Sequence, residues 1–479
     1  MAVEIASAPA DMGRADRRCD GSRSGGVRGI LPHPIARAVF AFLISAGFAG
    51  CGSPGSPPRA VAPSRAEGGR TSLPPPATSP VMLGIDVLQA EGFSALKGKR
   101  IGLLTHPAGV NRRGVSTIEV LRHAPGVNLV ALYAVEHGLY NDHPAQTYFP
   151  DQKDRRTGLP VYSLYNGKTK NFVPTAAQLR GIDALVIDLQ DIGTRSYTFS
   201  GAMKSAMEAC FSNGKEVIVL DRPNPLGGMK VGGPPMDAQW MSDVGRFRVP
   251  YVHGLTIGEL ALMARDQAPP DGIAVSAAAR ARGKLSVIPM RGWRRTMRWP
   301  DTGLRFVPTS TNIRDFETCE AYPMTGLGCM IGGFSNGIGG YYIFRGLSHA
   351  SIKPDLVERE LRALPVPGLS FRRISVPPAT PGRPATVGFL ISITDLGAWQ
   401  PADLNFHLMK LTCRLERGNP FAKLPAAMKR TFLIHMGSTA FFNDLATKGA
   451  QVDVDRWLRL WRTQADVFQA RSRKYWLYQ

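Results

Sequence analysis

The sequence predicts an α/β fold: a parallel sheet covered on both faces over residues 83–320, followed by a smaller α+β domain over residues 321–479. Two observations carry this. Up to about residue 320, short and near-continuous runs of Val, Ile and Leu alternate with stretches of helical periodicity, as strands buried on both faces between crossover helices do. Beyond that point the rhythm gives way to the Gly-rich stretch "GLGCMIGGFSNGIGGYYIF" and a mixed segment.

The elements follow in order. "KRIGLLT" reads as a strand, "GVSTIEVLRHA" as a helix, "NLVALYAV" as a strand, "PTAAQLRG" as a short helix and "DALVIDLQ" as a strand. "SGAMKSAMEACFSNGK" then reads as a helix, "EVIVLD" as a strand, "TIGELALMARDQ" as a helix and "LSVIPM" as a strand, each from its apolar spacing. The second domain contains one clear strand, "VGFLISITD". It closes on a helix whose Trp457, Leu460, Trp461 and Phe468 fall near helical spacing, a stripe of the kind that faces a core.

Ahead of the α/β region, "ARAVFAFLISAGFAGC" sets about 13 apolar residues after Arg28 and Arg37 and ends in small residues before Cys51. This is too short to span a bilayer as a helix and suits the apolar core of an export signal. Residues 1–51 are therefore expected to be a signal segment. Its "FAGC" end resembles a bacterial lipobox, which implies a lipid anchor on Cys51 and a place in the cell envelope facing the periplasm. Residues 52–82, rich in Pro, Ser, Gly and Ala, read as a disordered tether.

The chain of 479 residues has a formal net charge of +21, and its first 70 residues carry nine basic and five acidic groups. The surplus belongs mainly to the folded part and suits an anionic partner. No Lys/Arg cluster is interleaved with aromatics, which argues against nucleic acid. Of six cysteines, Cys210, Cys319, Cys329 and Cys413 lie in the expected domains without a CxxC motif or zinc-like spacing, so no metal is expected. A Cys319–Cys329 disulfide and buried free thiols both fit the sequence.

Ligands of open parallel sheets bind beyond the carboxyl ends of the strands. The polar residues at those ends are Thr105 and His106, then Glu136 and His137 in "AVEHGLYND". Gln190 and Asp191 follow, with Arg195 and Tyr197 beyond, and then Asp221, Arg222 and Asn224. Later landmarks are His253 and Thr256 in "YVHGLT", and Asn312 and Glu317 in "PTSTNIRDFE". Any single Asp or Asn among them has an alternative role as a cap, but four strand ends bearing such groups point to one site. Competing motifs fail on context. "GFSNG" around Ser335 fits G-x-S-x-G, but Gly-rich sequence rather than a helix follows it. Phosphate-binding Gly motifs and H-E-x-x-H are absent. What remains is carboxylate chemistry with no cofactor, of which glycoside hydrolysis is the leading case, with one carboxylic acid protonating the leaving oxygen and a second carboxylate serving as base or nucleophile.

The motifs "EHG", "TGLPVYSLY", "LQDIGTRSYTF", "VLDRPNPLGG", "VHGLTIGELA", "GWRR", "DTGLRFVPTSTNI" and "RSRKYWLY" occur in order from about Gly84 to Tyr478. This series resembles the YbbC/NamZ family of exo-β-N-acetylmuramidases. The resemblance implies a Rossmann-like domain joined to a smaller C-terminal domain, with a cleft between them that removes N-acetylmuramic acid from the non-reducing ends of peptidoglycan fragments. It further implies Glu136 as the catalytic acid, with His137, Asp191 and Asp221 in the cleft; Asp191 and Asp221 are the candidates for the second carboxylate. Arg195, Tyr197, Asn224, His253, Thr256 and Asn312 would bind substrate, Arg195 as a clamp on the lactyl carboxylate. Two stretches depart from the family pattern: "LYNDHPAQ" after E-H-G, and "GGFSNGIGG", which lacks an Arg and a Thr usual there. The altered Gly-rich loop keeps a second reading open, a non-catalytic envelope lipoprotein of this fold that binds cell-wall glycan or a partner protein.

Overall fold

The computed structural model describes residues 81–144, 147–167, 172–378 and 384–479. The expected signal segment with Cys51 lies outside the described residues, as does the tether up to residue 80.

Seven strands form the first sheet: β1 (Arg100–Thr105), β2 (Asn128–Ala134), β3 (Gln152–Lys153), β4 (Pro160–Ser163), β5 (Ala184–Asp188), β6 (Glu216–Leu220) and β7 (Leu285–Ile288). They lie in the order β3-β4-β2-β1-β5-β6-β7. All neighbours pair in parallel except β3, which is antiparallel to β4. The six parallel strands thus have the doubly wound order 3-2-1-4-5-6, and the direction of winding reverses between β1 and β5. Every residue of β5 is buried, which is why "ALVID" reads as continuous rather than alternating. The helix Thr198–Ser212 is buried nearly all round, so even Lys204 is enclosed, its Nζ donating to the carbonyls of Arg246, Pro270 and Asp271.

The second sheet contains β8 (Phe334–Ser335), β9 (Gly346–His349), β10 (Leu369–Val376) and β11 (Thr386–Ile393) in the antiparallel order β10-β11-β9-β8. Of these the sequence predicts only β11. Edge strand β10 alternates weakly because Arg372 and Arg373 interrupt it, charges of the kind that protect a sheet edge. Ser335 sits at the end of the two-residue β8, paired opposite Ser348, and no helix follows.

The described residues gather into two hydrophobic cores. The first gathers the parallel sheet and its helices as far as Cys319, and the second gathers Ala321 to Trp461. Each reaches into the other's stretch of chain: Leu226, Tyr251 and Val252 belong to the second core, and Phe468, Tyr475 and Tyr478 to the first. The helix Val454–Ser472 joins them by burying Val454, Leu458, Trp461, Ala465 and Phe468 on one face. Leu460, expected in that stripe, is exposed, because the three-four spacing runs through its neighbours Leu458 and Trp461 instead. Cys210, Cys319, Cys329 and Cys413 are free thiols, and Cys319 and Cys329 belong to different cores.

Candidate active site

Strand β2 ends at Ala134, and the chain turns at once. Gly138 N–H donates to the Val135 carbonyl at 3.1 Å, and His137 and Gly138 both take left-handed backbone angles, φ 74° and 76°. A histidine held there costs on the order of 1 kcal/mol, strain of the sort that collects at functional sites. His137 Nδ1 lies 3.1 Å from the His143 carbonyl, and the His143 ring stacks on Phe149 with centroids 4.2 Å apart. Tyr140 donates to Asp154 at 3.2 Å and carries the Arg156 guanidinium over its ring at 3.9 Å. The "LYND" stretch is thereby folded onto residues 149–156.

The half-buried Glu136 pairs with the Tyr165 hydroxyl. Burial, followed by the Glu136 charge, pushes the Tyr165 phenol far above its ordinary value, so it stays protonated and donates to the carboxylate. Tyr165 stands just after β4, the strand next to β2.

A second group lies in the crevice where the winding reverses. Gln190 N–H donates to His106 Nε2 at 2.9 Å, which fixes the proton on Nδ1. Burial first, then Arg222, push His106 down to about 3, so the ring is neutral. One oxygen of Asp191 accepts from Gly193 N–H at 2.8 Å and lies 3.4 Å from His253 Nε2. Its other oxygen is buried without a hydrogen-bond partner among the described residues, as are Gln190 Oε1, Thr194 Oγ1 and His253 Nε2. Folded proteins satisfy nearly all buried polar atoms, and each exception costs roughly 1–3 kcal/mol. Such a concentration at one strand edge marks a place built to meet polar groups from outside.

Tyr322, on the helix Phe316–Thr325, joins the two groups. Its hydroxyl is 3.1 Å from Ser196 Oγ, and burial together with the charges of Glu136 and Asp191 raises its titration. Tyr197 is packed edge-on to Tyr322 at 6.3 Å and donates to Thr309 at 2.9 Å, holding the segment that carries the half-buried Asn312.

Five residues that the sequence places at the site have other work. Arg195 is buried, and its two terminal nitrogens donate to the carbonyls of Pro234, Val249, His435 and Met436. Both terminal nitrogens are thus spent on backbone and only the buried Nε is left without a partner among the described residues, which argues against a substrate clamp. Asp221 is fully buried and accepts from Arg222 N–H, Gly258 N–H, Thr256 Oγ1 and Tyr478 OH, which fills its acceptor sites and argues against it as the second carboxylate. Thr256 caps the helix Ile257–Asp266. Asn224 bridges Leu226 N–H and the Leu255 carbonyl. Arg222 forms a buried two-point ion pair with Asp188. Neither Tyr165 nor Tyr322 is predicted by the sequence as a site residue. The strand-end rule finds Tyr165 once β4 is recognised, whereas Tyr322 lies within a helix and no local pattern announces it.

Residues 101–317 match the N-terminal domain, and residues 320–478 the C-terminal domain, of the family described as exo-beta-N-acetylmuramidase NamZ. The chain belongs to the NamZ family. It is 38% identical over 334 residues to the peptidoglycan beta-N-acetylmuramidase NamZ of Bacillus subtilis (strain 168), a match covering 69% of this chain and 77% of that relative. Two crystal structures of DUF1343 family proteins from Bacteroides fragilis share the NamZ fold seen here. One has a TM-score of 0.73 at 35% identity and covers 83% of this chain and 99% of its own. The other has a TM-score of 0.62 at 25% identity and covers 84% and 99%.

Proposed function

We propose that this protein is an exo-acting glycosidase that releases N-acetylmuramic acid from the non-reducing ends of peptidoglycan fragments, with Glu136 as the general acid. Membership of the NamZ family supports a peptidoglycan glycosidase. The observation that carries the assignment to Glu136 is its position: a carboxyl at the end of β2, held by Tyr165 and set in a strained turn.

Spacing favours Asp191 as the second carboxylate. Paired glycosidase carboxyls stand roughly 5–9.5 Å apart, and neighbouring strands are about 4.8 Å apart. The ends of β2 and β5 are two strands apart in the sheet and those of β2 and β6 three, or about 10 and 14 Å. At about 10 Å between strand ends, Asp191 stands near the upper end of that range. Asp221 lies beyond it and is already engaged.

The test is release of chromophore from a chromogenic β-N-acetylmuraminide. The purified protein is expected to release it, and Glu136→Gln to lose on the order of 100-fold or more of that rate. A native protein that binds the glycan but releases nothing would instead support the non-catalytic reading. We further propose, on residues 36–51 alone, that the protein is exported and anchored through a lipid on Cys51. Cys51→Ala is then expected to move it from the membrane fraction to the soluble one, measured by fractionation and immunoblotting.

A further inference from the structure

Beside the Glu136 turn is an open pocket of about 410 Å³ lined by Tyr148, Phe149, Pro150, Asp151 and Asn166, within the roughly 300–1,000 Å³ usual for small-molecule sites. Tyr148 is 54% exposed. Its ring lies across Gly167, where an added Cβ would come within 2.7 Å of it, and it packs on Tyr165 with centroids 4.9 Å apart. Tyr165 in turn bonds Glu136. A second connection runs from Phe149 through the stacked His143 ring to the carbonyl that meets His137. The pocket floor is therefore one aromatic ring away from the catalytic acid and tied to both members of the Glu136–His137 pair.

An exposed aromatic face held rigidly beside a cavity presents its electron-rich surface to the C–H face of a pyranose. Two observations decide which sugar. Gln190, Asp191, Thr194 and His253 carry polar atoms that are buried and without partners among the described residues, as suits the enclosed terminal sugar of an exo-acting enzyme. The Tyr148 side is open to solvent, where the rest of the glycan has to leave. We infer that Tyr148 forms the floor of the subsite for the sugar on the leaving-group side of the scissile bond, an N-acetylglucosamine residue seated with its apolar face on the phenol ring. This rests on the proposed muramidase reading and adds a specificity residue to it, from the stretch just after the "LYND" departure.

The test compares two substrates, the disaccharide N-acetylmuramyl-β-1,4-N-acetylglucosamine and N-acetylmuramyl β-fluoride, whose leaving group has no ring. Tyr148→Ala is expected to lower the disaccharide-to-fluoride ratio of kcat/KM about five-fold, mainly through KM, and Tyr148→Trp to restore it. Equal losses on both substrates, or an unchanged ratio, would overturn the inference. Calorimetric binding of the disaccharide to Glu136→Gln, with and without Tyr148→Ala, reads the subsite without turnover. If the native protein cleaves neither substrate, the muramidase reading fails, and the binding pair still decides: about five-fold weaker binding supports the subsite, and equal binding overturns it.

Discussion

Arg195 illustrates how a single side chain can look functional and be structural. Its guanidinium reaches from the loop after β5 to the last carbonyls of the helix Ala426–Met436, groups that no helix can satisfy internally and that favour a cation. The same nitrogens hold Pro234 and Val249, so one residue joins parts of both cores. Burial lowers its titration to about 10, leaving it charged at neutral pH. Arg195→Met is expected to leave four buried carbonyls unpaired at roughly 1–3 kcal/mol each. Partial relaxation would reduce the total, so a loss of about 3 kcal/mol or more in urea denaturation is the expected result. A stable Arg195→Met variant with weakened substrate binding would restore the clamp reading. A sequence shows that an Arg follows a strand, but its choice between ligand and brace depends on carbonyls some 240 residues away, a separation no local pattern encodes.

At the scale of elements, legibility follows length and burial. Strands β1, β2, β5, β6 and β7 are readable because each is a run of apolar residues bounded by helical stretches. β4 has only four residues and begins with Pro160, and among the described residues no helix separates it from β2; the turn at 135–138, the pocket wall at 148–151 and β3 stand there instead. The missing helix is the cost of building a site there. Gly138 is the element that aims the acid: an added Cβ would meet Asp142 Oδ1 at 2.4 Å, and its φ is +76°. Gly138→Ala is expected to cost about 1–2 kcal/mol in backbone strain. Because misplacing a reacting group by about 1 Å costs on the order of 100-fold in rate, kcat is expected to fall 10- to 100-fold while circular dichroism remains native. A variant with lowered melting temperature and unchanged kcat would show that the turn does not aim Glu136.

At the scale of the whole molecule, the chain closes on itself through its last residues. After the helix Val454–Ser472 has crossed from the second core to the first, Tyr478 packs edge-on against Trp293 at 5.1 Å and donates to Asp221 Oδ2 at 2.5 Å. Leu477 N–H donates to Glu259, and Trp476 stacks beneath the Arg295 guanidinium at 3.9 Å. Burial raises the Asp221 carboxyl to about 6, while the Tyr478 bond pulls it back down by favouring the ionised form. A carboxyl raised in the folded state stabilises the fold below its unfolded value near 3.8, and that contribution is lost as pH rises through about 6. Above pH 6 the fold holds a buried carboxylate and depends on its donors; below pH 5 the group is mostly protonated and depends on them less. Tyr478→Phe is therefore expected to cost about 1.5–3 kcal/mol at pH 8, and distinctly less at pH 5, in paired urea denaturations. An equal cost at both pH values would mean that the tail stabilises the first core by ring packing alone, with no contribution from the bond between Tyr478 and the buried acid just beyond β6.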